Sequence, residues 1–199
     1  MVQSNDMKRD YLLELMRSKA SVFTTNDVAL LWGQSDVQFV RKKLHRYVKA
    51  GKLYSLRRGI YAKDKEYNKF ELATKIFTPA YVSFETVLGK AGAVFQFYGQ
   101  IFVASYLTRE ITVKGQVYAF RKIRDTILTN RTGIEVKDNN FIATPERAFL
   151  DILYLNKDYH FDHLDNLNWD RIAVILPIYG GNKRMELCVK KYRKIAEKA

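Results

Sequence analysis

The periodicity of apolar residues changes at Gly51, and this change constrains the fold more than any other feature of the sequence. Before Gly51, apolar residues recur every three or four positions, which is the spacing of an amphipathic helix. The pattern predicts a first helix over residues 8–18 and a short second helix that Thr24 or Thr25 caps and Gly33 ends. The start of the chain is therefore expected to be helical.

A third helix and a β-hairpin complete the first unit. Ser35 is in position to cap a helix over residues 36–50, with a glycine just beyond its end. The alternating residues 53–62 then predict two short strands with Gly59 in the turn between them. This order of elements is that of a winged helix-turn-helix, so we expect residues 1–67 to form a winged helix-turn-helix DNA-binding domain.

The rest of the chain, residues 68–199, is expected to form an α/β domain with a small sheet and a helical C-terminus, which makes the whole chain α+β. Its strongest helix start is the sequence Thr144-Pro145-Glu146, where proline follows an N-cap residue and an acid lies in the first turn. The other predicted elements are helices at 70–76, 84–91, 171–179 and 183–198 and strands at 101–106, 111–113, 117–123, 134–136 and 141–143.

Positive charge is concentrated at the two ends of the chain. The protein has 34 Lys and Arg against 21 Asp and Glu, a formal net charge of +13. Residues 36–63 hold nine basic residues and one acid, and residues 182–199 hold seven and two, whereas residues 68–181 hold 13 and 12. A solvated surface would mix the two signs, so this segregation, together with the predicted helix-turn-helix, predicts double-stranded DNA as the partner.

The predicted third helix has one apolar face and one basic face. At about 100° per residue, its valines, leucine and tyrosine fall on the side that is expected to pack inside the domain. The N-terminal part of such a helix enters the major groove, where glutamine can bind adenine and lysine can bind guanine. The candidate base-edge contacts are Ser35, Gln38 and Lys42. The candidate phosphate contacts are Arg41, Lys43, Arg46 and Lys49.

Three further residues are candidates for the same interface. Phe39 falls on the outward side of the helical projection, where it is expected to contact a thymine methyl group or to pack on the hairpin. Arg57 and Arg58 lie at the predicted hairpin tip, where a wing meets phosphates or the minor groove. The alternative interpretation is a lysine-rich helix that only favours solubility, followed by an ordinary turn.

The last predicted helix carries the second basic cluster. Lys183, Lys190, Lys191 and Lys194 share one side of this helix, and the last three are candidate DNA contacts. We expect them to contact DNA that flanks the main site. The apolar residues expected to anchor the helix are Leu187, Val189, Tyr192 and Ile195. The alternative is a helix that only adds solubility.

The sequence holds few of the patterns that catalysis requires. It has no phosphate-binding glycine loop, no His-Glu-x-x-His motif and no nucleophile elbow, so we expect neither enzymatic activity nor a cofactor. One alternative is a metal-dependent nuclease. Glu135 and Lys137 lie on the same face of a predicted strand, and Asp125 lies ten residues upstream, so the three could form the magnesium site of such an enzyme. A polar loop contains the other candidate metal ligands, but we expect no metal site there. These ligands are His160, Asp162, His163 and Asp165.

The cysteine content and the N-terminus predict the compartment. A single cysteine, Cys188, excludes a disulfide framework and fits a reducing cytoplasm. No apolar segment follows the polar residues 1–10, so no signal peptide is expected. Residues 91–108 lack charge, but their glycines and glutamines predict a helix end, a turn and a buried strand instead of a membrane span. We therefore expect a cytoplasmic protein that contacts no membrane.

Four segments together resemble a known protein family. They are the hairpin at 51–62, the sequence Tyr81-Val82-Ser83 that opens a helix, the strand at 101–105, and the sequence Ala-Thr-Pro-Glu-Arg-Ala-Phe-Leu-Asp at 143–151. In these segments the chain resembles the AbiEi family, the antitoxins of the type IV AbiE toxin–antitoxin systems.

The resemblance implies a transcriptional autorepressor that binds inverted repeats in its own promoter through its first domain. It also implies that the second domain is an antitoxin, which counters a nucleotidyltransferase toxin encoded next to it without forming a stable complex. The residues alone leave a further alternative, which is a regulator whose second domain binds a small ligand in a closed, apolar pocket.

Overall fold

The structure, a computed structural model, describes residues 9–96 and 99–198. The chain divides into two compact units between Asn68 and Lys69, one residue beyond the boundary expected from the sequence. Both units combine helices with strands, so the architecture is mixed α+β. Lys8, the predicted start of the first helix, and residues 97–98 of the uncharged stretch lie outside the described residues. Within the described ranges, no helix is long and apolar enough to cross a bilayer.

Three helices and three short strands form the described part of the first unit. In chain order they are α1 (Tyr11–Arg17), β1 (Val22–Thr24), α2 (Thr25–Trp32), α3 (Val37–Lys49), β2 (Tyr54–Arg57) and β3 (Ile60–Ala62). The sheet is antiparallel with β3 in the middle, and Ala62 lies opposite both Val22 and Tyr54. The sequence analysis missed β1, because a strand of three residues is too short to show alternation.

Local side-chain contacts define where the helices of the first unit begin. Thr24 and Asp27 form a reciprocal capping box at the start of α2, in which each side chain accepts the backbone N–H of the other residue. The expectation that Ser35 caps the third helix is wrong. Asp36 is the cap, and its carboxylate accepts the N–H groups of Gln38 and Phe39 at 2.8 and 3.1 Å. A carboxylate also complements the positive end of the helix dipole, which a serine hydroxyl does only weakly.

The core of the first unit draws on all three helices. It consists of Leu15, Phe23, Val28, Trp32, Val40, Leu44 and Leu53. The indole N–H of Trp32 donates to the carbonyl oxygen of Tyr11 at 3.1 Å, and the two rings meet edge to face at 4.9 Å. These contacts fix α1 against α2, and α3 contributes only its Val40 and Leu44 side to the core.

The second unit is built on a six-stranded mixed sheet in the order β6-β7-β5-β4-β9-β8. Its elements are α4 (Lys69–Ile76), β4 (Ala80–Val82), α5 (Glu85–Lys90), β5 (Ile101–Ser105), β6 (Arg109–Val113), β7 (Gln116–Lys122), α6 (Asp125–Leu128), β8 (Ile134–Lys137), β9 (Asn140–Ala143), α7 (Pro145–Leu155), α8 (Trp169–Ile175), a 3₁₀ segment (Leu176–Tyr179) and α9 (Lys183–Ala196). The predicted small sheet is therefore present, and its strands follow each other as expected except at β4.

Two elements of the second unit differ from the prediction. Residues 81–83 were expected to open a helix, but β4 ends at Val82 and is a buried central strand, antiparallel to β5 and parallel to β9. The helix expected over 171–179 instead begins at Trp169 and ends at Ile175, after which the chain tightens into the 3₁₀ segment. Pro177 accounts for that change, because it has no N–H to continue an α-helix.

An ion pair lies fully buried inside the second unit. Arg147 and Asp151, one turn apart on α7, are both 0% exposed, and the arginine Nε lies 3.3 Å from a carboxylate oxygen of Asp151. The guanidinium also donates to the carbonyl oxygens of Ile127 and Thr132 and to the hydroxyl of Tyr81. The arginine charge is thus surrounded by acceptors, as a buried charge requires.

Three hydroxyl groups complete this network around Asp151. Tyr81, Ser83 and Tyr179 donate to its carboxylate at 3.0, 2.8 and 2.7 Å. Burial raises the pKa of both tyrosine hydroxyls well above its usual value, so they keep the protons that they donate. Burial also raises the pKa of the Asp151 carboxyl, while the charge of Arg147 and these hydroxyl groups oppose that shift. The network joins β4, α7 and the 3₁₀ segment into one structure.

Candidate nucleic-acid interface

One side of α3 is a continuous exposed row of polar and basic side chains. Each member has another member three or four positions away, so the side chains line up along one side of the helix. We call this row the α3 stripe, and it consists of Gln38, Arg41, Lys42, His45, Arg46 and Lys49. The stripe contains no acid, and four of its six side chains are Lys or Arg.

The opposite side of α3 holds the stripe in place. Val40 and Leu44 are 0% exposed and fix the rotation of the helix about its axis. At the N-terminal end, Asp36 bonds to the backbone of Gln38, and Ser35 is exposed just before it. The first turn of the helix, which carries the expected base contact Gln38, is therefore held by its cap.

Two candidate residues lie away from the stripe. Phe39 is half-buried, with its ring edge to face on Tyr11 of α1 at 5.7 Å, and Lys43 places its ammonium 4.0 Å from the centre of the same ring. The helical projection that put Phe39 on the outward side is thus wrong. The reason is that an aromatic partner on α1, which the pattern of α3 alone does not reveal, draws both side chains toward it.

The hairpin turn is attached to the start of α2. The carbonyl oxygen of Gly59 accepts hydrogen bonds from the backbone N–H of Thr25 at 2.9 Å and from its hydroxyl at 3.3 Å. Arg58 is exposed in the turn, whereas Arg57 is half-buried at the end of β2, next to an irregularity in the pairing with β3. Of the two arginines, Arg58 is therefore the one that the fold leaves accessible.

Four acids in the described part of the first unit are engaged in local structure. Asp10, Asp27 and Asp36 each accept backbone N–H groups at the start of a helix. Glu14 forms two hydrogen bonds with Arg9, at 2.6 and 2.9 Å. The positive charge of the stripe is consequently directed toward solvent, where it can attract a polyanion.

Lys190, Lys191 and Lys194, which we call the α9 lysines, are exposed, but the helix is anchored differently from the expectation. Met185 and Tyr192 are buried, whereas Leu187 and Ile195, two of the expected anchors, are 67% and 48% exposed. Of the four predicted anchors only Tyr192 is buried, because the four are spread around the helix, and the prediction left out Met185. Arg184, part of the same basic cluster, donates to the carbonyl oxygens at the end of α7 and is a structural cap.

The residues of the nuclease alternative are on separate exposed elements. Glu135 and Lys137 lie on β8, at one edge of the sheet, and Asp125 is the first residue of α6. In the polar loop, His160 pairs with its neighbour Asp162 at 3.7 Å and a second such pair follows. Among residues 9–96 and 99–198, no three His, Cys, Asp or Glu side chains are grouped so that they could hold a metal ion.

A second unit that binds a small ligand would need a pocket for it, so the clefts of this unit are relevant to the ligand-binding alternative. The largest of three, about 510 Å³, lies beside α5 and has Glu85, Lys90 and Gln100 in its walls. The others, about 460 and 400 Å³, lie beside α8. All three are open to solvent, unlike the closed, apolar pocket that this alternative predicts.

Sequence reasoning named five of the six stripe residues as candidate DNA contacts, and the sixth, His45, lies at the centre of the stripe. Its position seven residues after Gln38 was the available signal. Comparison of the chain with known protein families finds no family whose model matches. Comparison with curated proteins finds no match either.

Proposed function

We propose that this protein binds double-stranded DNA sequence-specifically through its first unit, acting as a winged helix-turn-helix. The α3 stripe carries the proposal, because six aligned exposed side chains without an acid form a surface suited to DNA. The surrounding architecture supports it. A four-residue turn that contains Gly33 joins α2 to α3, and the three-stranded sheet β1-β3-β2 follows the order of strands in winged helices.

In this proposal the two ends of the α3 stripe have different tasks. Gln38 and Lys42, with Ser35 before them, lie at the N-terminal end and read base edges in the major groove. Arg46 and Lys49, nearer the C-terminal end, bind phosphates and set the position of the helix. Arg41 of the stripe also contacts a phosphate, and Lys43 does so once it leaves the Tyr11 ring.

The hairpin and α9 add contacts that do not depend on sequence. Arg58, exposed at the turn, meets a phosphate or the minor groove, and Arg57 supports it from the end of β2. The α9 lysines contribute further phosphate contacts on flanking DNA. These interactions strengthen binding to every sequence alike.

The biological role that we propose is that of an autorepressor and antitoxin in a type IV toxin–antitoxin system. It rests on the resemblance to the AbiEi family, strongest at residues 143–151. In that segment, Thr144 caps α7 and Arg147 and Asp151 form the buried network, so the resembling residues organise the second unit. The first unit would repress the promoter from an inverted-repeat operator, and the second would counter a nucleotidyltransferase toxin without a stable complex.

DNA binding is tested with two double variants of the full-length protein. R46A/K49A removes two charges from the stripe, and K19A/K65A removes two exposed charges elsewhere in the first unit. The magnitude of the log–log salt slope of DNA affinity should fall by about 2 in the first variant, since each phosphate contact contributes about 0.9. It should not change in the second. Equal slopes for both variants would contradict the proposal.

The antitoxin role needs a separate experiment. Expression of a nucleotidyltransferase encoded beside this gene should arrest growth, and co-expression of this protein should restore it. R46A/K49A should restore growth as well as the wild type does, because the second unit carries the antitoxin activity in this proposal. Persistent arrest with a DNA-binding wild-type protein would refute the antitoxin role alone.

A further inference from the structure

Strand β8 forms one edge of the six-stranded sheet, and its outer side is accessible. It is the last strand in the order β6-β7-β5-β4-β9-β8, and no described strand pairs with it beyond β9. Glu135, Val136 and Lys137 are all exposed, and Val136 is 72% exposed. An accessible edge strand offers unpaired backbone groups to another strand.

The pairing with β9 determines which backbone groups face outward. Glu135 lies opposite Ile142, and Gly133, two residues earlier, accepts the N–H of Thr144 at 2.8 Å. In an antiparallel pair the hydrogen-bonded positions alternate, so Gly133, Glu135 and Lys137 direct their backbone groups toward β9. The N–H and C=O of Val136 therefore point to the free edge, as does the C=O of Ile134, whose N–H donates to the carbonyl oxygen of Arg131 at 2.9 Å.

The charges of β8 are complementary to those of the same strand turned by 180°. If two copies pair antiparallel about Val136, Glu135 of each copy lies opposite Lys137 of the other. Both positions would be non-hydrogen-bonded pairs, in which opposing side chains are closest. The central Val136 pair would exchange two backbone hydrogen bonds.

We propose that β8 is a self-association site, through which two copies of this chain form a symmetric dimer with a continuous sheet. The interface is isologous, since the same residues face each other on both sides of the two-fold axis. Residues 68–181, which contain β8, are almost neutral, with 13 basic and 12 acidic residues. The inference does not depend on DNA binding.

The other edge of the sheet lacks this complementarity. Strand β6 carries Arg109 and Glu110 at its start, and a two-fold axis at its central residue, Ile111, would place Glu110 opposite Thr112. Arg109 would then face Val113. In that arrangement no charged side chain lies opposite one of opposite charge, so the charge pattern favours β8 as the edge that pairs. Strand β6 therefore serves as the control surface.

The dimer is tested by sedimentation equilibrium of the full-length protein over a wide range of concentrations. A four-residue strand pair buries less area than a stable interface requires, so we expect association in the micromolar range or weaker. The wild-type mass should rise from 23.3 kDa toward twice that value as concentration increases. E135K and K137E each replace two attractive pairs with two repulsive pairs, and should raise the dissociation constant about tenfold or more.

Charge exchange makes the test specific. The double variant E135K/K137E should dimerise like the wild type, and a mixture of E135K with K137E should associate although each alone does not. The control R109E/E110R on β6 should not affect dimerisation. In a C188S background, V136C should form an intermolecular disulfide, because hydrogen-bonded positions of antiparallel strands have Cα atoms about 5.5 Å apart.

Two results would overturn the inference. One is a wild-type mass that stays at 23.3 kDa at every concentration, with no V136C cross-link. The other is a dimer whose dissociation constant is the same in the wild type, E135K and the double variant, which would place the contact elsewhere on the molecule.

Discussion

Replacement of Asp151 by asparagine should lower the free energy of unfolding of the second unit by about 3–5 kcal/mol. The change keeps the shape of the side chain and removes its charge. Arg147, 0% exposed, would keep its bonds to the carbonyl oxygens of Ile127 and Thr132 but lose its counter-charge. Removal of one partner from a buried ion pair typically costs this amount, because the other charge is left uncompensated in a medium of low polarity.

The chain provides a matched control at the same helical spacing. Arg193 and Glu197 are also one turn apart, at 3.0 Å, but their side chains are 52% and 60% exposed. Glu197→Gln should therefore change the free energy of unfolding by no more than about 0.5 kcal/mol. The contrast between the two substitutions isolates the effect of burial from that of the ion pair itself.

The assay is urea unfolding followed by the fluorescence of Trp169, whose ring packs on Phe149 of α7 at 5.9 Å. The second tryptophan, Trp32, belongs to the first unit, so wild type and variants are compared in a Trp32→Phe background. An Asp151→Asn protein within about 1 kcal/mol of its parent would show that the Asp151 charge does not stabilise the unit, and would refute this reasoning.

Three other predictions concern the rest of the molecule. Gly133 has a φ of +75°, and a methyl group there would lie 2.9 Å from two side chains, so Gly133→Ala should lower the free energy of unfolding in urea by at least about 2 kcal/mol. Gly115 also has a positive φ but has open space around it, so Gly115→Ala should lower that free energy by about 1–2 kcal/mol. The purified protein should not cleave plasmid DNA in Mg²⁺, and cleavage that Lys137→Ala abolishes would support a nuclease instead. Reversal of charge at the α9 lysines should reduce the magnitude of the salt slope of DNA affinity by about 2–3 without changing the preferred sequence; an unchanged slope would exclude these lysines from binding.

The elements that sequence reasoning found are those whose signals are local. The α3 helix is defined by the spacing of Val40 and Leu44 and by a capping residue within one position of the expected one. The hairpin is defined by Gly59, which takes a positive φ of 76° in its turn. In both cases, the residues that determine the structure lie within the element itself.

The elements that it missed depend on partners far away in the sequence. β1 and β4 have three residues each and are strands only because β3, β5 and β9 pair with them. Phe39 is directed inward because its ring packs edge to face against the ring of Tyr11 on α1. Contacts between residues far apart in the sequence do not change the periodicity of apolar residues within an element, so the sequence pattern does not reveal them.

The buried network illustrates the same limit at the level of single residues. Arg147 with Asp151 and Arg193 with Glu197 are both basic–acidic pairs four positions apart, and in the sequence they look alike. The first pair is enclosed by residues of other elements, such as Tyr81 and Tyr179, whose hydroxyl groups donate to Asp151, whereas the second pair is exposed.

The central claim, that α3 reads DNA sequence, is tested most directly by measuring base preferences. A duplex selected from a random pool by the wild-type protein is varied one base pair at a time, and affinities are compared for wild type, Gln38→Ala, Lys42→Ala and Arg58→Ala. We predict that Gln38→Ala and Lys42→Ala each lose about 1–3 kcal/mol of discrimination at one base pair, whereas Arg58→Ala weakens binding to all sequences equally. Unchanged base preferences in both Gln38→Ala and Lys42→Ala would contradict the assignment of α3 as the recognition helix.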